Sequence, residues 1–332
     1  MSEHIYILGS NSFSGAHFAR FALNKGFTVT GVSRSPEPHS VFLPYLDSKR
    51  RDRERFFFLR ADLNHDLDML TTCMERAKPA YVVNFVAQGM VAESWLHPDQ
   101  WLRTNTLSPL LLYEYLRHCP WLCKFVQIST PEVYGSTAGL MRESVHYEPS
   151  TPYAVSKAAA DMNLMCFFRA YNFPVVFTRA ANVFGPCQQL YRIIPRTVLR
   201  FLTGGIVELH GGGQSVRSFI HIDDVVDATF RVMLHGDPGE IFHISTTRTI
   251  SIHDLVHLIA RMMEVDPGKH IRVSGERLGK DAAYLLDAAK LRQTLDWRDK
   301  HSLEDGIVDV VRWMRRNLST LAALPQDYQH KE

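Results

Sequence analysis

An apolar strand, a turn of small residues and a helix open this chain, and that order constrains the fold more than any other feature. The strand is Ile5-Tyr6-Ile7-Leu8 and the turn is Gly9-Ser10-Asn11-Ser12-Phe13-Ser14-Gly15. The helical pattern then runs to about Lys25. Small residues at such a turn let the backbone approach a pyrophosphate. The anion then sits on the helix N-terminus, where free N–H groups and the dipole favour it. Gly9, Ser12, Phe13, Ser14 and Gly15 are therefore candidate contacts to a dinucleotide. Glycine also serves such junctions for structural reasons, so the loop needs support from the rest of the chain.

That support is the rhythm that follows. Thr28 to Val32, Phe56 to Leu59, Tyr81 to Ala87, Lys124 to Ile128 and Pro174 to Thr178 read as strands with helical stretches between them. Alternation of this kind predicts right-handed βαβ units in an α/β, doubly wound parallel sheet, the Rossmann arrangement. A long helix is expected from about Asp99 to His118. A second runs from Tyr153 to about Ala170, started by Ser150, Thr151 and Pro152. Glu37 to Arg55, with its basic cluster, reads as an exposed insertion. Residues 1–186 are expected to form the dinucleotide-binding domain and to carry the catalytic groups. The looser pattern of 187–332, which includes a short strand Phe242 to Ser245, suggests a smaller C-terminal α/β lobe that binds mainly substrate, with an interleaved boundary.

Ligands bind at the carboxyl ends of the strands in such sheets. After the second strand stand Ser33 and Arg34. A carboxylate there would hold the ribose hydroxyls of NAD, whereas a guanidinium suits the 2′-phosphate of NADP. Ala87 and Gln88 end the fourth strand and should run beside the cofactor. After the fifth comes Ser129-Thr130-Pro131-Glu132-Val133-Tyr134-Gly135. Tyr153 and Lys157, four apart, share one helix face. A hydroxyl, a carboxylate, a phenol and an amine can converge there.

Composition sets limits. The 332 residues are 45% hydrophobic and 22% charged with a net charge of +2, which gives no argument for nucleic acid or membrane as partner. No apolar run is long enough to span a bilayer, no signal peptide is visible, and five cysteines without a repeated spacing suggest reduced thiols in the cytoplasm. Cys119 and Cys123 have no second pair, and the histidines show no ligand spacing, so no metal is expected.

Taken together, the glycine loop, the Ser129–Gly135 stretch, the Tyr153/Lys157 pair, Arg179 to Pro186, Arg217 to Asp224, and Arg277 to Asp281 with Leu286 to Lys290 occur in the order of a known family. Over about residues 4 to 315 the chain resembles an extended short-chain dehydrogenase/reductase that modifies nucleotide sugars, nearest to the 4,6-dehydratases. The resemblance implies a redox-neutral reaction on a nucleotide sugar with bound NAD(P), NADP being favoured by Arg34. Tyr153, lowered in pKa by Lys157, would take the proton of the sugar 4-hydroxyl while hydride leaves C4. Thr130 would hydrogen-bond the same oxygen. Glu132 would remove the C5 proton, the C6 hydroxyl would leave, and hydride would return to C6.

The resemblance also places Asp62 and Leu63 at the adenine and Asn105 with the cofactor set. Gln88, Ser129, Asn182, Arg192, Arg217 and Arg277 fall on the substrate, Arg217 on its pyrophosphate. His221 is either a substrate contact or a packed core residue. One position departs from the dTDP-glucose branch, where an aspartic acid protonates the departing hydroxyl. Here it is Pro131. Decarboxylation of a nucleotide-linked glucuronate and epimerisation are the alternatives within enzymes. A cofactor-binding homologue without turnover is the alternative outside them. The family also implies a homodimer built on the helices near 99–118 and 153–170.

Overall fold

The structure is a computed structural model and describes residues 3–137, 139–275 and 285–331. Seven parallel strands form its central sheet. They are β1 (His4–Leu8), β2 (Thr28–Ser33), β3 (Phe56–Arg60), β4 (Tyr81–Asn84), β5 (Lys124–Ile128), β6 (Val175–Ala180) and β7 (Ile241–Ile244). Their order across the sheet is 7-6-5-4-1-2-3. Direction of travel reverses between β1 and β4, which opens a crevice at the carboxyl ends of those two strands.

Both faces of the sheet are covered, which is why its inner strands are continuous apolar runs. Ile5, Ile7, Val83 and Val126 face α1 (Phe13–Asn24) and the helix Ile222–His235. Tyr6, Leu8, Val82 and Phe125 point the other way, toward Leu112, Tyr113 and Leu164. The period of two along each strand divides these two cores.

Past residue 187 the chain does not stay in one lobe. Helix Ile222–His235 packs on α1, and β7 pairs with β6 as the edge of the main sheet. The strand expected at Phe242 to Ser245 is thus part of the first lobe. A separate core joins helices Ile193–Leu202, Ile252–Met262 and Leu303–Arg316, with Val198, Leu255, Ile259, Ile307 and Val310 fully buried.

Two expectations need correction. The insertion Glu37 to Arg55 is not simply a solvated face. Leu43 and Tyr45 are buried in the core, and Tyr45 stacks on Phe56 with centroids 4.4 Å apart. Nor is the long helix continuous. It runs as Pro98–Leu102, a π-helical turn at Arg103–Leu107, and Ser108–Leu116. Pro109 supplies the reason, since its ring clashes with the carbonyl four residues back, at Asn105, and it has no N–H to give. All five cysteines are free thiols. No helix among the described residues is long and apolar enough to cross a membrane.

Candidate active site

A cleft of about 1060 Å³ lies over the crevice between β1 and β4. Asn11, Ser12, Phe13 and Ser14 line it from the glycine loop, Arg34 from the end of β2, and Ala87 and Gln88 from the end of β4. Ser129, Thr130 and Glu132 come from the end of β5, Tyr153 and Lys157 from the helix Pro152–Tyr171, and Asn182 and Arg192 from beyond β6.

The glycine loop fits a dinucleotide for a steric reason. Gly9 has φ +80°, and a Cβ there would lie 2.9 Å from the Phe85 carbonyl carbon and the Val86 nitrogen. A Cβ on Gly15 would lie 2.4 Å from the Gly9 carbonyl oxygen. Only glycine permits this tight turn, which brings the first turn of α1 to the cleft with its N–H groups. Ser12 supports the same turn. Its Oγ accepts from Gly15 N at 3.1 Å and caps α1.

The wall facing this loop carries the groups expected to react. Thr130 Oγ1 accepts from Glu132 N at 3.3 Å and caps a 3₁₀ turn, Pro131–Tyr134. Its own O–H is left to donate. Pro131 opens that turn with its φ preset, so it stiffens the loop that presents Glu132. Thr151 caps the Tyr153 helix by accepting from Ala154 N at 3.1 Å. Lys157 is buried, its Nζ donates to Ile128 O at 2.8 Å, and burial pushes its pKa down from 10.5 to about 8, while the Asp161 carboxylate opposes the shift.

Behind Lys157 is a buried ion pair that motif reading missed. Arg179 Nη2 donates to Asp161 Oδ2 at 2.8 Å, and both side chains are fully buried. Ser129 Oγ donates to the same oxygen at 2.6 Å. Arg179 lies between the rings of Tyr134 and Tyr147 and also bonds the Tyr134 hydroxyl. His243 Nε2 lies 2.8 Å from that hydroxyl, and burial drops the histidine's pKa to about 3, so it is neutral. Asp161 stands one further turn along the face of Tyr153 and Lys157, so an i+8 search from Tyr153 would have found it.

Other expected residues sit outside the lining. Asn105, set by the π-helical turn, bonds the backbone of Gln88 at both N and O (2.8 and 3.1 Å) and Ser156 Oγ at 2.9 Å. It positions a cleft residue rather than facing the cleft. Ser33 Oγ accepts from Asn11 N at 3.2 Å and so ties the glycine loop to β2. Asp62 caps a local turn at Asn64 N, and Leu63 is buried in the core. Arg217 is buried, and its Nη1 donates to Val216 O at 2.8 Å. His221 is the packed residue of the two alternatives: it caps helix Ile222–His235 through Asp223 N and stacks against His301. Arg277 lies outside the described residues. His221, Asp223 and His301 bring ligand-type atoms within 4.8 Å of one another. Asp223 is already held by Arg20 at 2.6 Å, and His301 Nδ1 lies 3.0 Å from Asp224.

The profile of the GDP-mannose 4,6 dehydratase family matches residues 6–310. A trifunctional UDP-glucose 4,6-dehydratase/UDP-4-keto-6-deoxy-D-glucose 3,5-epimerase/UDP-4-keto-L-rhamnose-reductase of Arabidopsis thaliana is 31% identical over 95% of this chain. This chain spans 47%, about half, of that plant protein's length. The dTDP-glucose 4,6-dehydratase of Mycolicibacterium smegmatis is 31% identical over 95% of this chain and 94% of its own. Among solved structures, the dTDP-glucose 4,6-dehydratase of Streptomyces venezuelae with NAD bound superposes with a TM-score of 0.87. It is 29% identical and covers 96% of this chain and 98% of its own.

Proposed function

The chain belongs to the GDP-mannose 4,6 dehydratase family, and on that premise we propose that it is an NAD(P)-dependent nucleotide-sugar 4,6-dehydratase. It would convert an NDP-hexose to the NDP-4-keto-6-deoxyhexose with loss of water. The observation that carries this reading is the meeting of Thr130, Glu132, Tyr153 and Lys157 in one cleft with the glycine loop.

A nicotinamide dinucleotide held by the glycine loop, Arg34 and Gln88 would supply the redox chemistry, as acceptor and then donor of hydride. Tyr153 takes the proton of the 4-hydroxyl, and the Lys157 ammonium stabilises the phenolate that accepts it. The Thr130 hydroxyl donates to the same sugar oxygen. Glu132 takes the C5 proton, which the new ketone has acidified. Because residue 131 is a proline, Glu132 also hands that proton to the departing C6 hydroxyl, which leaves as water. Asn182, just beyond β6, and Arg192, in the C-terminal half, grip the sugar nucleotide. Arg34, standing where a carboxylate would select NAD, supports NADP over the NAD of the S. venezuelae structure.

Free thiols are in keeping with a cytoplasmic enzyme. A homodimer is supported by Leu107 and Leu111 on one helix and Val155 and Met162 on the other, all exposed. Mass spectrometry after incubation with UDP-, dTDP-, GDP- and CDP-hexoses and UDP-glucuronate tests the reaction. Loss of one water from a single hexose supports it. Loss of carbon dioxide from the glucuronate would replace it with decarboxylation.

A further inference from the structure

Residues 325–331, after the helix Leu318–Ala323, run along the cleft and touch both of its halves. In the half next to the second lobe, Asp327 pairs with Arg196 at 3.5 Å. Tyr328 meets Tyr191 edge to face, with centroids 5.4 Å apart. Just outside the lining, His330 lies flat against His97 and Trp101, with centroids at 5.1 and 5.4 Å, and its Nε2 is 2.7 Å from Gln100 Oε1. The carbonyl oxygen of Lys331 then accepts from Arg34 Nη2 at 2.9 Å and from Gln88 Nε2 at 2.7 Å. Lys331 Nζ reaches Ser35 Oγ at 3.3 Å.

Arg34 stands at the end of β2 and Gln88 beyond the end of β4, on the two sides of the β1 glycine loop. A dinucleotide laid over that loop has its oxygens within reach of the same two donors. One carbonyl oxygen already engages both, so a peptide carbonyl is doing what a ribose or phosphate oxygen would do. Peptide and dinucleotide therefore compete for these two donors.

We propose that residues 325–331 are an intramolecular occupant of the dinucleotide cleft, which NAD(P) must displace to bind. The proposal rests on the cofactor reading above. Only the fraction of molecules with the segment undocked binds, and the apparent affinity falls by that fraction. The contacts are few: two hydrogen bonds to one carbonyl, one each at Gln100 and Ser35, ring contacts to Tyr191, His97 and Trp101, and a surface ion pair. A docked-to-undocked ratio of about ten is what such contacts sustain. Displacement also moves Asp327 and Tyr328 away from Arg196 and Tyr191, so cofactor loading clears the other half of the cleft.

The test compares the full chain with a variant ending at Leu324 and with His330→Ala. Each is titrated with NADPH and NADH by nicotinamide fluorescence. Truncation is expected to tighten binding about tenfold, and His330→Ala to tighten it less, in the same direction. Hydrogen exchange at 325–331 in the full chain is expected to rise when dinucleotide saturates it. Equal or weaker binding by the truncated chain overturns the proposal and leaves the cofactor reading standing. Protection of 325–331 by dinucleotide also overturns it, because the segment would then close over the ligand. No binding by either protein removes the cofactor reading and the proposal together.

Discussion

The two walls of the cleft are held in place by different physics. The wall from β5 and the Tyr153 helix is backed by Asp161 and Arg179, whose side chains are fully buried and bond each other, Ser129, Tyr134 and Tyr147. Lys157, buried against the Ile128 carbonyl, belongs to the same layer. The wall from the ends of β2 and β4 is met by single hydrogen bonds to the chain segment around Lys331, from Arg34 and Ser35 near the surface and from the buried Gln88. The first kind of contact fixes geometry, because a charge taken out of water tolerates no loss of its partner. The second kind exchanges readily for water or ligand. Groups proposed to move protons are built into the first wall, and groups expected to grip the cofactor stand on the second.

Substitutions on the two walls should therefore differ in size and in kind. The largest effect is expected for Tyr153→Phe, which removes the proton acceptor and lowers turnover by about 10²–10⁴-fold. Dinucleotide affinity should stay within a fewfold of the original, and titration checks that. Asp161→Asn leaves Arg179 buried and uncompensated, at a cost of about 3–5 kcal/mol in urea unfolding. Removal of residues 325–331 should cost only about 1.4 kcal/mol, the tenfold docking ratio expressed as free energy. Equal losses for the two would erase the distinction between the walls.

A smaller effect is expected from pH. The Lys157 ammonium is needed for the phenolate, and its pKa is pushed down to about 8. A group lowered in this way is charged below that value and neutral above it. So kcat/KM for C4 oxidation should fall as pH rises through about 8. The smallest effect is on cofactor choice. Arg34→Ala should lower the ratio of NADPH to NADH affinity about 10-fold through loss of a charge-assisted bond to the 2′-phosphate, a ratio that loosening of the 325–331 segment leaves unaltered.

Most of the first wall was legible in the sequence, and its foundation was not. Local signals report what a helix face or a strand end carries, as with Tyr153 and Lys157 on one face or Thr130 and Glu132 after β5. Asp161 lies on the Tyr153 helix and its partner Arg179 on β6, and only the βαβ crossover brings them together. Likewise β7 reads as a short strand, but its place beside β6 is a pairing remote in sequence. The interruption at Arg103–Leu107 had a visible cause in Pro109, and its consequence, Asn105 clamping Gln88, needed coordinates. The sequence placed Ser12 among the candidate dinucleotide contacts, but that its hydroxyl caps α1 needed coordinates. The segment at 325–331 gave no sequence signal at all, since its contacts run to residues far back in the chain.

The most direct test of the central claim, that this cleft moves hydride from C4 to C6 of one sugar, uses isotope. The nucleotide hexose that loses water is supplied with deuterium at C4, and the product is read by NMR. Deuterium in the C6 methyl group is the result the account predicts. Deuterium retained at C4, or lost to solvent, would contradict it.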